Sequence, residues 1–136
     1  MRLLVRREHG AQELISKLAK KGYLAEEIQE AIAECQRLGL QCDRRFVEMV
    51  CRARIRQGYG PLKIRKELQG LQVDRELIEN VLREEQDNWL AYAMSVRNKK
   101  YKDQSDLSYA ALQKQKQFLH YRGFSTDIIA LVFKER

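Results

Sequence analysis

The sequence predicts an all-α protein of three tandem three-helix repeats that form an elongated, curved rod. Residues that favour helix dominate the chain of 136 residues, which has one proline and seven glycines and so has little room for long loops. Charged residues make up 33% of the chain, so much of its surface must face water, as in an elongated molecule. A pattern of apolar residues also recurs about every fifty residues, which is typical of a repeat protein.

Three leucines set the repeat: Leu18, Leu68 and Leu119 lie 50 and 51 residues apart. An isoleucine follows each leucine ten positions later, so each unit holds an apolar helix end, a turn and a second helix with apolar residues at helical spacing. One such unit is too small for a sizeable core, and stacked units are expected to share a core along their length. The three leucines should then be equivalently buried. The isoleucines are Ile28, Ile78 and Ile129.

The repeats are predicted at residues 1–42, 43–86 and 87–136. The first repeat opens with a short leading helix near Arg2–Glu8. The second repeat starts at Asp43, whose side chain is expected to cap the leading helix of that repeat.

The turn between the last two helices of a repeat is predicted from glycine. Gly22 and Gly123 stand at matching positions in the first and third repeats, where the second repeat has Gln72. Because glycine adopts left-handed backbone angles without a steric cost, we expect the second repeat to turn at Gly70 instead. The link Tyr101–Asp106 in the third repeat is long and polar, and we expect it to be the most mobile internal segment.

A basic helix corner lies at the centre of the chain. Residues 52–67 carry six positive charges and one negative charge, and Gly58, Gly60 and Pro61 mark a sharp turn between two helices. On a helical wheel the cations point away from the core. Many charge runs are only solvated surface, but five cations with little compensating acid favour contact with a partner, and the tyrosine of the corner fits surface contact or base stacking. The predicted partner-binding residues are Arg45, Arg52, Arg56, Tyr59, Lys63 and Lys66.

Nothing in the sequence predicts catalysis, a metal site or a cofactor. The three cysteines form no C-x-x-C pair and are expected to be reduced thiols, and the two histidines lie in different repeats without metal-ligand spacing. No Walker-type glycine-rich loop occurs, so an enzyme is not expected. These residues are Cys35, Cys42, Cys51, His9 and His120.

Neither a signal peptide nor a membrane span is predicted. The longest apolar run, Ile128–Phe133, is far too short to cross a bilayer, and arginines interrupt the apolar residues at the start of the chain. We therefore expect a cytoplasmic protein without a membrane partner, and we expect a monomer. The formal net charge of +7 favours a polyanionic or acidic partner.

Several short motifs follow one another in a specific order and spacing. They are Arg6-Arg7-Glu8-His9, Lys21-Gly22-Tyr23, Arg56-Gln57-Gly58-Tyr59-Gly60-Pro61 and Phe118-Leu119-His120-Tyr121-Arg122-Gly123-Phe124. With these motifs the chain resembles the bacterial RecX family, which regulates the RecA recombinase. The resemblance covers essentially the whole chain.

The resemblance implies a protein of three tandem three-helix repeats that lies along the groove of the RecA filament on single-stranded DNA. It implies inhibition of the ATPase, strand-exchange and co-protease activities of RecA, through blocked filament growth or promoted disassembly. The basic residues alone leave a second class of function open, in which the protein binds single- or double-stranded DNA directly through its basic face.

Overall fold

The computed structural model describes residues 7–102 and 108–134, which contain eight α-helices and no strand. The predicted all-α fold class is therefore confirmed. In chain order the helices are α1 (Ala11–Lys20), α2 (Ala25–Arg37), α3 (Asp43–Arg56), α4 (Pro61–Gly70), α5 (Arg75–Glu84), α6 (Trp89–Tyr101), α7 (Tyr109–Tyr121) and α8 (Thr126–Phe133).

Extensive helix–helix packing stays within one unit of the chain. In the first unit α1 packs on α2, in the second α3, α4 and α5 pack on one another, and in the third α6, α7 and α8 do the same. One hydrophobic core runs through the second and third units, from Phe46 to Phe133. Among the described residues, the first unit has a small core of its own, made of Leu14, Ile28 and Ile32. The expectation of one core along the whole chain is therefore wrong for the first unit.

The three repeat leucines are not equally buried. Leu68 and Leu119 are both 0% exposed, whereas Leu18 is only half-buried. The helix of Leu68, α4, packs against both α3 and α5, and that of Leu119, α7, packs against both α6 and α8. Among the described helices, α1 packs extensively against α2 alone. The prediction of equivalent burial is therefore wrong for Leu18, because fewer helices surround it.

The second unit turns at Gln72 and not at Gly70, so that prediction is wrong. Gly70 is the last residue of α4, whereas Gln72 has a positive φ of 61°. The same hydrogen bond closes this turn in every unit, from the backbone N–H five residues after the repeat leucine to the carbonyl of that leucine. The three bonds measure 3.3 Å from Tyr23, 3.3 Å from Val73 and 3.2 Å from Phe124. In the second unit this bond holds Gln72, which has a side chain, in a left-handed conformation that costs on the order of 1 kcal/mol.

Asp43 caps a helix other than the predicted one. The helix α3 begins at Asp43 itself, after the cap residue Cys42, and no side chain caps its start. The carboxylate oxygen Oδ1 of Asp43 instead accepts a hydrogen bond from the N–H of Ala11, at 2.8 Å, where α1 begins. The same oxygen accepts a bond of 2.9 Å from Nε2 of Gln41. The aspartate therefore ties the second unit to the first.

The second and third units are joined by backbone atoms. The N–H of Gly60 donates to the carbonyl of Arg122 at 2.7 Å, and the N–H of Leu62 donates to the carbonyl of Gly123 at 2.9 Å. A Cβ atom on Gly60 would lie 2.6 Å from the carbonyl carbon of Gly123, so only glycine allows this approach. The corner of the second unit is thereby fixed against the last turn of the third.

Two predictions fall mainly outside the described residues. The short helix near Arg2–Glu8 is described only at its last two positions, which are not helical. The link Tyr101–Asp106 is described only at its first two positions, where α6 ends, so its predicted mobility stays a prediction.

Candidate functional site

A basic cleft of about 270 Å³ lies where the end of α3 meets α6 and α7. Its cations come from two units: Arg56 from the second, and Lys99, Lys100 and Arg122 from the third. No carboxylate is among the residues that line it. We call this feature the basic cleft.

Arg122, the cap residue after α7, holds two walls of the basic cleft together. Nη1 of Arg122 donates a hydrogen bond of 3.0 Å to the carbonyl oxygen of Gln57, which is the cap residue at the end of α3. A cation suits this place because the last carbonyls of a helix carry partial negative charge. The opposite wall includes Tyr92, whose ring packs edge-on against the ring of Trp89, with 5.6 Å between centroids.

Cations and aromatic rings alternate beside the basic cleft. Nζ of Lys63 lies 4.9 Å from the ring centre of Tyr59, and the guanidinium of Arg122 lies 5.4 Å from the same ring. The guanidinium also lies 5.2 Å from the ring of Phe118, which Nζ of Lys100 approaches to 5.4 Å. These distances allow cation–π attraction, so the row fixes side chains of both units at the rim of the cleft.

The structure separates the six predicted partner-binding residues. All five cations are exposed and the tyrosine is half-buried. Arg56 lines the basic cleft, and Tyr59 and Lys63 belong to the row beside it. Lys66 is exposed on α4. The remaining two, Arg45 and Arg52, lie elsewhere.

Two of the predicted residues lie near acidic or carbonyl oxygens outside the cleft. Arg45 binds Oε1 of Glu8 at 3.0 Å and the carbonyl of Gly39 at 2.6 Å. Arg52 borders a different cavity, with Glu84, the last residue of α5, and the following Glu85 in its wall. That these two residues contact a partner stays a prediction.

Other cations of the central corner form ion pairs within the second unit. Nε of Arg54 lies 2.7 Å from Oε1 of Glu67. Nε of Arg65 lies 2.5 Å from Oε1 of Glu79 on α5. All four side chains are about one-third exposed, so each pair adds little to stability, on the order of 1 kcal/mol or less. The pairs remove two cations from the set that is available to an anionic partner.

Sequence reasoning missed three cations of the basic cleft: Lys99, Lys100 and Arg122. A helical wheel compares residues on one helix, whereas these side chains approach Arg56 through the packing of the third unit on the second. Two signals were available in the sequence. Lys99 and Lys100 lie in the last turn of a helix, and Arg122 lies inside the motif Tyr121-Arg122-Gly123.

The described residues offer little for other chemistry. No group of three or more metal-ligating side chains occurs within 7–102 and 108–134. Burial raises the pKa of the Cys51 thiol to about 11, which keeps it protonated and unreactive at neutral pH. Within the same ranges, no helix is both long and apolar enough to cross a bilayer.

Tandem three-helix units define the class of the molecule, an all-α helical-repeat protein. Three family models match the chain in order: the first three-helix domain of RecX over residues 1–35, the second over 43–82 and the third over 86–133. The chain therefore belongs to the RecX family.

Named relatives and solved structures agree with this assignment. The chain is 55% identical to "Regulatory protein RecX" of Legionella pneumophila (strain Corby), over 99% of this chain and 90% of the relative. It is 38% identical to the protein of the same name from Pseudomonas entomophila (strain L48), over 100% of this chain and 88% of the relative. The crystal structure of RecX from Lactobacillus salivarius superposes with a TM-score of 0.86 at 26% identity, covering 98% of this chain and 89% of that one.

Proposed function

We propose that the protein regulates the RecA recombinase, mainly as an inhibitor, by binding the filament that RecA forms on single-stranded DNA. The observation that carries the proposal is the match of all three three-helix domains of a family of regulatory proteins, in order along the chain. The proposed effects are lower ATPase, strand-exchange and co-protease activities of RecA. The protein would act in the cytoplasm as a monomer, without catalysis of its own.

The charge distribution supports binding to such a filament. The chain carries a formal net charge of +7, and the basic cleft brings four cations together with no carboxylate among its lining residues. A filament on single-stranded DNA exposes phosphates and protein surface together, so positive charge would steer the approach and fix its orientation.

A second candidate function is direct binding of single- or double-stranded DNA, without action on RecA. The absence of any carboxylate among the lining residues of the basic cleft favours it. Binding to naked DNA would then weaken steeply as salt rises, because phosphate contacts release counterions. The two functions differ in one observable: only the first lowers the activity of RecA at protein concentrations too low to cover the DNA.

The decisive measurement is the ATPase rate of RecA on single-stranded DNA as this protein is added below one equivalent of RecA. We expect the rate to fall. An unchanged rate together with tight binding to the naked DNA would favour the second function.

A pair of matched variants tests whether the predicted partner-binding residues contact the RecA filament. Arg56→Glu with Lys66→Glu reverses two exposed charges of the predicted partner-binding set, and Lys20→Glu with Lys21→Glu makes the same charge change on the first unit. Exposed substitutions alter stability little, by about 0.5 kcal/mol each, so both proteins should fold. The first variant should lose most of the inhibition of RecA and the second should keep it. If both variants inhibited RecA as strongly as wild type does, the reversed residues of the first variant would be only solvated surface.

A further inference from the structure

The basic cleft differs in charge from two other cavities that border the second unit. The cavity beside Arg52 contains Glu48, Glu84 and Glu85, and the cavity at the other side of the corner has Glu79 and Asp127 in its wall as well as two arginines. The basic cleft contains four cations and no acid. An anion that enters it would therefore meet attraction without a competing carboxylate.

The four cations divide into one with several structural contacts and three that form no ion pair within the described residues; of these three, Lys100 also lies 5.4 Å from the ring centre of Phe118. Arg122 is half-buried, donates to the carbonyl of Gln57 and lies against two aromatic rings. Arg56, Lys99 and Lys100 are exposed, and no carboxylate of the described residues pairs with them. These three side chains can turn toward a ligand without breaking an ion pair.

The size of the cleft selects the kind of anion. Its volume of about 270 Å³ is at the lower limit of sites for drug-sized ligands, which span about 300–1,000 Å³. A short stretch of one sugar–phosphate backbone fits such a space. Half-buried aromatic rings, Tyr92 and Phe118, form part of the wall, as in grooves that bind single strands.

We propose that the basic cleft binds the phosphodiester backbone of single-stranded nucleic acid. Arg56, Lys99 and Lys100 contact the phosphates, and Arg122 positions the walls that carry them. The inference rests on the proposed function, because it assigns the DNA contact of the filament to these residues. Since the walls belong to two units, the bound strand also bridges the second and third units.

A structural explanation of the same cations exists and makes a different prediction. Arg56 lies in the last turn of α3, and Lys99 and Lys100 lie in the last turn of α6. Cations in these places stabilise the negative end of a helix. If that were their whole role, neutral replacements would lower the melting temperature and leave the binding of nucleic acid unchanged.

The test uses the full chain and a fluorescent oligothymidylate, with binding measured by anisotropy at several salt concentrations. The variant carries Arg56→Gln, Lys99→Gln and Lys100→Gln. Each phosphate contact on a single strand contributes about 0.7 to the slope of log affinity against log salt, so the slope should fall in magnitude by about 2. At 0.1 M salt this corresponds to a loss of roughly 100-fold in affinity. Circular dichroism checks that the variant is folded.

The matched control carries Lys20→Gln, Lys21→Gln and Lys114→Gln, three exposed lysines outside the cleft. The control removes the same net charge as the cleft variant. It should keep the wild-type slope, because its three lysines lie outside the cleft that binds the phosphates. Equal slopes for the cleft variant and wild type, or no binding of oligothymidylate by wild type, would overturn the proposal. Tighter binding of a polyglutamate peptide than of oligothymidylate would also overturn it, in favour of an acidic protein segment. Tighter binding of a duplex with the same loss in the cleft variant would overturn the preference for single strands.

The same protein preparations separate this inference from the proposed function. If wild type inhibits the RecA ATPase but the cleft variant keeps the wild-type slope, the cleft assignment fails and the regulatory function stands. If the cleft variant loses slope but wild type does not affect RecA, the cleft assignment stands and the regulatory function fails.

Discussion

The two junctions between units are built from different atoms. Side chains join the first unit to the second: Asp43 caps α1 and also accepts a bond of 2.9 Å from Nε2 of the buried Gln41, which donates to the carbonyl of His9 as well. Backbone groups of Gly60 and Leu62 join the second unit to the third. A continuous hydrophobic core crosses the second junction, whereas the first unit has a small core of its own. The basic cleft lies at the second junction, where the hydrogen bonds of Gly60 and Leu62 involve no titratable side chain.

The largest expected effect tests the difference between the cores. Leu68→Ala empties a fully buried position in the continuous core, and such changes cost about 2–5 kcal/mol in the free energy of unfolding. Leu18→Ala changes a half-buried position and should cost roughly 1 kcal/mol. Thermal and urea unfolding measure both. Equal losses would show that the first unit is as tightly packed as the second.

The next effect tests the backbone contact at the second junction. Gly60→Ala places a methyl group 2.6 Å from the carbonyl atoms of Gly123, so the corner must shift, at a cost of about 1–3 kcal/mol. The matched control is Gly70→Ala, since a Cβ atom there meets nothing within 4 Å and alanine favours the helix. Unfolding in urea should separate the two variants by more than 1 kcal/mol. If Gly60→Ala and Gly70→Ala had the same free energy of unfolding, the second junction would be able to accommodate the added methyl group.

A smaller effect tests the side-chain contact at the first junction. Asp43→Ala removes the acceptor for the N–H of Ala11, and the loss of such a cap costs about 0.5–2 kcal/mol. Amide hydrogen exchange in α1 should become about fivefold faster, the equivalent of roughly 1 kcal/mol, with no change in α7. Faster exchange in both helices would mean that the first unit is not separable from the others.

The smallest effect is a pH dependence that only the first junction should show. Nδ1 of His9 lies 3.1 Å from the carbonyl of Arg7, which can only accept, so Nδ1 carries the proton. Nε2 then accepts from the ammonium of Lys17, at 3.2 Å, which requires a neutral ring. Burial lowers the pKa of His9 below its ordinary value of 6.5, and Lys17 lowers it further.

The direction of the pH effect follows from this geometry. Because the unfolded chain binds the His9 proton more tightly than the folded chain does, the stability of the junction falls as the pH drops below about 6.5. Exchange in α1, corrected for the intrinsic rate, should be faster at pH 5.5 than at pH 7.5. His9→Gln should abolish the difference, and His120→Gln, a change at the exposed histidine, should leave it. A difference that survives His9→Gln would have another source.

The order of the helices was predictable because it depends on local patterns. Apolar spacing and the recurrence of Leu18, Leu68 and Leu119 predicted the all-α fold, and the resemblance to RecX was confirmed over nearly the full chain. The errors arose where neighbouring elements decide the outcome. The carboxylate of Asp43 caps a helix 32 residues earlier in the chain, and Gln72 adopts a glycine-like conformation because the turn hydrogen bonds hold it there.

The candidate site was only partly predictable for the same reason. Arg56 and Lys63 follow from the charge run and the helical wheel, since each depends on its own helix. Which cations remain available depends on partners elsewhere in the chain, and Arg54 and Arg65 are paired with Glu67 and Glu79. The contribution of α6 and α7 to the basic cleft depends on the packing of one unit on another, which no periodicity within a helix records.

The edge-on contact between Trp89 and Tyr92, a residue in the wall of the basic cleft, gives the protein an optical signal of its own. Trp89 is the single tryptophan of the chain and is 5% exposed, and its neighbour Tyr92 lines the cleft. Indole emission depends on the polarity and motion of the surroundings of the ring. A change in the packing of the second and third units would therefore alter the intrinsic fluorescence of the native chain, so that such a change can be followed in real time without an attached dye.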